Sequence, residues 1–216
     1  MFVLTFIARS SQGSVQEHLA DLENRLEQLT PAVTFTRTYP DEVQGAFDNA
    51  QDALAAALLG ARFARFWVGI GAGELVRPRF AAALGAVSTP ECSGSALSLS
   101  RSAVEQAQTG APPRGICVHA EGQGVRADQV TGLLRLLYRV ASARTEAEWR
   151  VIDLLVPGVR GQQKAVAQAL GITSQAVSKT LVRSYWHEEL ASRELIAELL
   201  EGLSWQAVER LVEIRR

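Results

Sequence analysis

The sequence predicts an α+β protein. Two observations carry this reading. Short apolar, β-rich runs alternate with amphipathic stretches as far as Ala120. From the glycine-rich Glu121-Gly-Gln-Gly124 to Arg216, every hydrophobic pattern is helical.

The elements follow in order. Phe2-Val-Leu-Thr-Phe-Ile-Ala8 is a buried strand. Val15, Leu19, Leu22, Leu26 and Leu29 form the stripe of a helix over 14–29. Alternating Val33, Phe35 and Arg37 mark a strand over 32–39, and Pro40-Asp-Glu42 turns it into a hairpin partner over 42–47. Asn49 caps a helix over 50–60 that Gly60 closes. A strand over 65–70 runs into Gly69, Gly71 and Gly73. Residues 76–94 mix Pro, Ser and Gly around a short apolar segment, a helix covers 95–108, and a last strand covers 115–120. The order β-α-β-β-α-β-α-β predicts a ferredoxin-like antiparallel sheet with its helices on one face. Gly69-Ile-Gly-Ala-Gly73 reads as a tight turn between strands, because Pro78 opposes the helix that a phosphate-cradling loop would open. The predicted division is a sheet domain over 1–122, a linking helix over 123–144 with Val130, Leu133, Leu134, Leu137 and Val140, and an all-α domain over 145–216.

Composition narrows the function classes. With 47% hydrophobic and 21% charged residues among 216, the chain is not a disordered tail. No run reaches the roughly 18 apolar residues of a membrane helix. No basic residue precedes the apolar N-terminus, so a signal peptide is not expected. Cys92 and Cys117 make no disulfide framework, and His18, His119 and His187 lack metal-ligand spacing. The expectation is a soluble cytoplasmic protein with reduced thiols, no membrane partner, no metal and no cofactor. Net charge is −1 overall, but residues 144–186 hold six bases against three acids, including both lysines of the chain, Lys164 and Lys179. That imbalance points to an anionic partner.

The same window carries the most specific pattern. Thr145-Glu-Ala-Glu148 is a capping box, and Trp149, Ile152 and Leu155 share one face of the helix it opens. A second helix covers 162–170, Gly171-Ile-Thr173 is a tight turn, and a third helix starts at Ser174 with Thr173 as its cap. Ala167 is the small residue that a close helix crossing needs. Gly171 supplies left-handed φ, and Val177 is the branched anchor facing inward. Val166, Leu170 and Ile172 fill the remaining inward positions. This is the spacing of a helix-turn-helix. Ser174, Gln175, Ser178 and Lys179 face outward as base-reading candidates, with Gln175 suited to adenine and Lys179 to guanine or a phosphate. Lys164 and Arg183 are phosphate candidates. An ordinary helical hairpin with a polar face is the alternative. Ser184-Tyr-Trp-His-Glu-Glu189 runs into another helix, so no wing is expected. Trp205, Val208, Leu211 and Ile214 form a last apolar stripe, for packing on its own domain or for a dimer seam.

Four N-terminal stretches carry a resemblance. Tyr39-Pro-Asp-Glu-Val-Gln-Gly-Ala-Phe47 is similar to a turn of the SatD family. Asp48 to Ala57, Val68-Gly-Ile-Gly-Ala-Gly-Glu74 and Gly94 to Arg101 resemble the helix, glycine turn and following helix of class III nucleotidyl cyclases. SatD proteins join such a cyclase-like domain to a helix-turn-helix, so the resemblance implies that architecture here. Cyclases hold two metal ions with two aspartates. Here the first position falls in Phe6-Ile-Ala-Arg9, which has no acid, and the second is Asp41. The positions of the phosphate-stabilising Asn and Arg hold Ser98 and Ser102, with Arg101 one place off. The resemblance therefore implies a degenerate domain that is not an enzyme. Asp41 and Glu42 remain ligand-binding candidates for a small-molecule or nucleotide effector. The functional expectation is a homodimeric transcription regulator on double-stranded DNA. A nucleotide-dependent enzyme using Asp41 and Glu42 as metal ligands, and a module binding a transcription partner, stay as alternatives.

Overall fold

Along β1 (Phe2–Ala8) the side chains of Phe2, Leu4 and Phe6 alternate with those of Val3 and Thr5, and the two sets are buried against different helices. The computed structural model describes residues 1–9, 14–79, 87–110 and 114–204. After β1 come α1 (Val15–Leu26), β2 (Val33–Tyr39), β3 (Glu42–Phe47), α2 (Ala50–Ala61), β4 (Phe66–Ala72), α3 (Ser95–Gln108) and β5 (Ile116–Ala120). The remainder is helical among the described residues: α4 (Gly124–Ser142), α5 (Glu146–Ile152), α6 (Gln163–Leu170), α7 (Ser174–Arg183) and α8 (Trp186–Glu201). The apolar stripe from Trp205 to Ile214 lies outside the described residues.

The sheet has five strands in the order β2-β3-β1-β4-β5. β1 is central, with Leu4 opposite Gly45 on one side and Ile70 on the other. The first three pairings are antiparallel, but β5 joins β4 in parallel. The sheet is therefore mixed, not wholly antiparallel. The cause is α3, a crossover that returns the chain in the same direction.

Helices also cover both faces, not one. Leu19, Leu22 and Leu26 of α1, Ala53, Leu54 and Ala57 of α2, and Val130 and Leu134 of α4 share one core with Phe2, Leu4 and Phe6. On the other face α3 lies directly on β4. A Cβ on Gly69 or Gly71 would collide with the α3 backbone at Ser100 and Val104, or at Ala96 and Ser100. These glycines are thus the floor of a helix–strand contact, and the predicted turn is corrected to a strand interior. A buried polar knot closes this interface. Gln44 Nε2 donates to Thr5 Oγ1 at 2.9 Å, and Thr5 Oγ1 donates to Ser100 Oγ at 3.0 Å.

The helical half is fastened to the sheet half. One cluster of buried side chains runs from Phe2 to Leu203. Ala50 N–H, at the start of α2, donates to Glu201 Oε2 at 3.2 Å. Arg62 forms two parallel bonds of 2.7 Å to Asp153, and its guanidinium lies 4.5 Å from the Trp149 ring. Beyond α4, Arg144 and Glu189 are 4% and 2% exposed, with Nη1 2.6 Å from Oε2. Arg144 Nε also donates to Ser184 O at 2.9 Å, and Trp149 and Trp186 flank the guanidinium. Arg193 meets the other Glu189 oxygen.

Two stability outcomes follow. Gly71→Ala forces α3 off the sheet and lowers unfolding free energy by about 1–3 kcal/mol, measured by urea denaturation. Glu189→Gln strands the Arg144 charge in the core and costs about 3–5 kcal/mol, whereas Arg144→Met with Glu189→Leu together costs less than that single change.

Candidate nucleic-acid interface

The site begins with a loop that one side chain organises. Gln162 Oε1 accepts from Val156 N at 2.8 Å, and its Nε2 donates to Val156 O and Val159 O at 2.8 and 2.9 Å. The loop is held in place just before α6. α6 ends at Gly171, which has φ 65° and ψ 31°. Ile172 N–H returns to Ala167 O at 3.0 Å and Gly171 N–H to Gln168 O at 3.3 Å. Two of the carbonyls left open at the helix end are thereby satisfied, a closure that a left-handed residue allows. Two residues on, Thr173 Oγ1 accepts from Ala176 N at 3.1 Å and opens α7.

Val166, Ala167, Val177 and Leu181 are buried between α6, α7 and their neighbours. Leu170 is half-buried. Ile172 departs from its expected inward position: it is 41% exposed, because the turn that closes α6 carries it to the surface. The opposite side of α7 is polar. Thr173, Ser174, Gln175 and Lys179 are exposed and Ser178 is half-buried, so the first two turns bring these five together. Lys164 is exposed on α6.

Arg183 differs from the lysines. Its side chain is 70% exposed, yet its Nε donates to Glu148 Oε1 at 2.7 Å. Glu148 also accepts from Thr145 N at 2.8 Å, completing the capping box of α5. Burial alone would raise the Glu148 carboxyl, but the Thr145 bonds and the Arg183 guanidinium outweigh it and hold the group below the ordinary carboxylate range. Among the described residues, Lys164, Lys179, Arg150 and Arg160 have no ion-pair partner. Arg150 and Arg160 were missed as individual candidates. Only the charge count of the window signals them.

The second candidate pair is not brought together. Asp41 is exposed, and its backbone oxygen accepts from Ala8 N at 2.9 Å. Glu42 is 2% exposed and takes Thr38 Oγ1 and Arg101 Nη2, the latter at 2.6 Å. Arg101 stacks 4.8 Å from the Tyr39 ring. Beside them lies a shallow cleft of 420 Å³, lined among others by Gln44, Thr89, Cys92 and Ser98. The Cys92 thiol is pushed up, chiefly by burial, which disfavours the reactive thiolate. No group of three or more His, Cys, Asp or Glu suited to a metal ion occurs among the described residues. Arg9, just past the end of β1, reaches Tyr138 Oη at 2.9 Å and lies 4.9 Å from the Trp67 ring. None of the helices among the described residues is long and apolar enough to cross a membrane.

No protein-family model matches this chain, and no curated protein or solved structure is significantly similar to it.

Burial pushes the Tyr138 phenol up to about 12, against the smaller lowering by Arg9. The hydroxyl donates to Phe66 O at 2.6 Å only while protonated. Its contribution to stability is therefore complete below the ordinary tyrosine value of about 10 and is lost as pH rises towards 12. Ultraviolet titration of wild type against Tyr138→Phe shows one late-ionising phenol missing in the variant, and an early, reversible ionisation in its place overturns the assignment.

Proposed function

We propose that this protein is a DNA-binding transcription regulator in which α6, the Gly171 turn and α7 form a helix-turn-helix, with α7 entering the major groove. The observation that carries the reading is the two-sidedness of α7. Val177 and Leu181 are buried on one side, while Thr173, Ser174, Gln175 and Lys179, which has no ion-pair partner among the described residues, are presented together on the other. A long cation on a solvated helix start and short hydrogen-bonding side chains beside it suit phosphates and base edges. Lys164, Arg150 and Arg160, exposed and without ion-pair partners among the described residues, add positive charge to the same helical half. Ser174, Gln175, Ser178 and Lys179 read bases in this proposal, and Lys164 holds a phosphate. Arg183 acts first as the anchor of α7 to α5 through Glu148.

The sheet half is proposed as a ferredoxin-like, cyclase-related body that assembles or senses and does not turn over nucleotide. Two observations support this. Glu42 is already paired with Arg101, and the stretch Phe6-Ile-Ala-Arg9, where the resemblance places the first metal-binding acid, holds no acid; its Arg9 is engaged with Tyr138 and Trp67. The protein is proposed to act in the cytoplasm as a homodimer on double-stranded DNA.

Fluorescence anisotropy with a duplex from the protein's own upstream region, beside a scrambled duplex, tests the proposal across a salt series. Lys179→Ala lowers affinity for the native duplex by about 1–3 kcal/mol. Lys164→Ala weakens binding to both duplexes and makes the salt slope shallower by about one. Equal binding of both duplexes, unchanged by either substitution, overturns the reading.

A further inference from the structure

The outer face of α4 is apolar and uncovered among the described residues. Val125 is 78% exposed, Leu136 64% and Leu133 39%, with Val140 half-buried beside them. At 3.6 residues per turn, Val125, Gln129, Gly132, Leu136 and Val140 share one stripe, and Leu133 borders it. Gly132 stands in the middle of this helix, where glycine weakens the helix relative to alanine. A Cβ there would meet nothing within 4 Å. Packing within the described chain therefore gives no reason for the missing side chain.

The charges beside the stripe are arranged symmetrically. Asp128 and Arg139 are both exposed, and neither has an ion-pair partner among the described residues. They lie on the same edge of the helix, eleven residues or about 16 Å apart, with their midpoint between Leu133 and Leu134. The neighbouring arginines are engaged elsewhere. Arg135 Nε donates to Ile116 O at 3.1 Å, and Arg126 lies against Gly202.

A two-fold axis through that midpoint lays a second α4 antiparallel on the first. Asp128 of each copy then faces Arg139 of the other. The same rotation brings Leu136 of one copy to within one residue rise, about 1.5 Å, of the level of Gly132 on the other, a side chain beside the space its partner lacks. A parallel two-fold pairing would carry the two copies of each charge to opposite edges of the seam and pair neither. We infer that α4 is the seam of an isologous antiparallel homodimer, locked by reciprocal Asp128–Arg139 pairs and by Leu136 set beside Gly132. The inference would supply the two-fold axis that a palindromic DNA site requires, but it rests on the face of α4 and not on DNA binding.

Sedimentation velocity on the full chain without DNA tests it. A single helix pair is at the small end of specific interfaces, so the wild type dissociates in the micromolar range, on the order of 10 µM. Leu136→Glu and Gly132→Leu each weaken the dimer at least about tenfold while the circular-dichroism melt stays that of a folded chain. Asp128→Arg and Arg139→Asp each weaken it, and the two together restore it to within about threefold of wild type. A wild type that stays monomeric up to about 200 µM, a Leu136→Glu variant that dimerises like wild type, or a charge swap that fails to recover overturns the inference. DNA binding is scored separately, so the two proposals fail independently.

Discussion

Arg144 and Glu189 are both withdrawn from water, and the helical half is arranged around keeping them together. A lone buried charge is expensive, so each partner makes the other obligatory. Arg144 sits just past the end of α4, Glu189 lies in the first turn of α8, and Ser184, whose carbonyl takes Arg144 Nε, ends α7. One guanidinium thus ties three helix ends to a point. The guanidinium also lies 5.1 Å from the Trp149 ring and 5.9 Å from the Trp186 ring. The chain between α7 and α8 passes through Tyr185 with φ 53°, a left-handed conformation that a non-glycine residue holds only when its surroundings demand it. The direction in which α7 presents Gln175 and Lys179 depends on this junction.

The junction is in turn referred to the sheet. Arg62 spans from the end of α2 to Asp153 just beyond α5, lying over Trp149. Phe63 and Ala64 next to it have φ of 56° and 52°, so the backbone there is also held away from its ordinary wells. Trp149 is consequently shared: Arg62 of the sheet half and Arg144 of the helical half stack on the same indole. Changes in how α2 packs have a direct physical route to α5, and through Glu148 and Arg183 to the end of α7.

The two faces of the sheet solve different problems. The face carrying Phe2, Leu4 and Phe6 is a broad apolar core shared by α1, α2, α4 and α8. The opposite face is thin. There Gly69 and Gly71 let the α3 backbone approach β4, and Thr5, Gln44 and Ser100 satisfy one another in the space that remains. Arg101 leaves α3 on the same side to neutralise Glu42.

Local signals in the sequence determined the elements and several of their ends. Asn49, Thr145 and Thr173 cap the helices they were expected to cap, and Gly171 takes the left-handed φ its spacing required. A short apolar, β-rich run placed β1, and the Pro40–Glu42 turn placed the hairpin. Such signals are legible because a cap, a turn or a hydrophobic period involves neighbours within one or two turns. The exposed face of α7 was legible for the same reason, since it is the complement of its own buried period. Long-range choices were not. Whether Gly71 is a turn or a floor depends on Ser100, and whether Arg183 is free depends on Glu148. The parallel seat of β5, the second helical layer and the Arg144–Glu189 pair were decided only by tertiary packing, because each is a contact between residues that the sequence holds far apart.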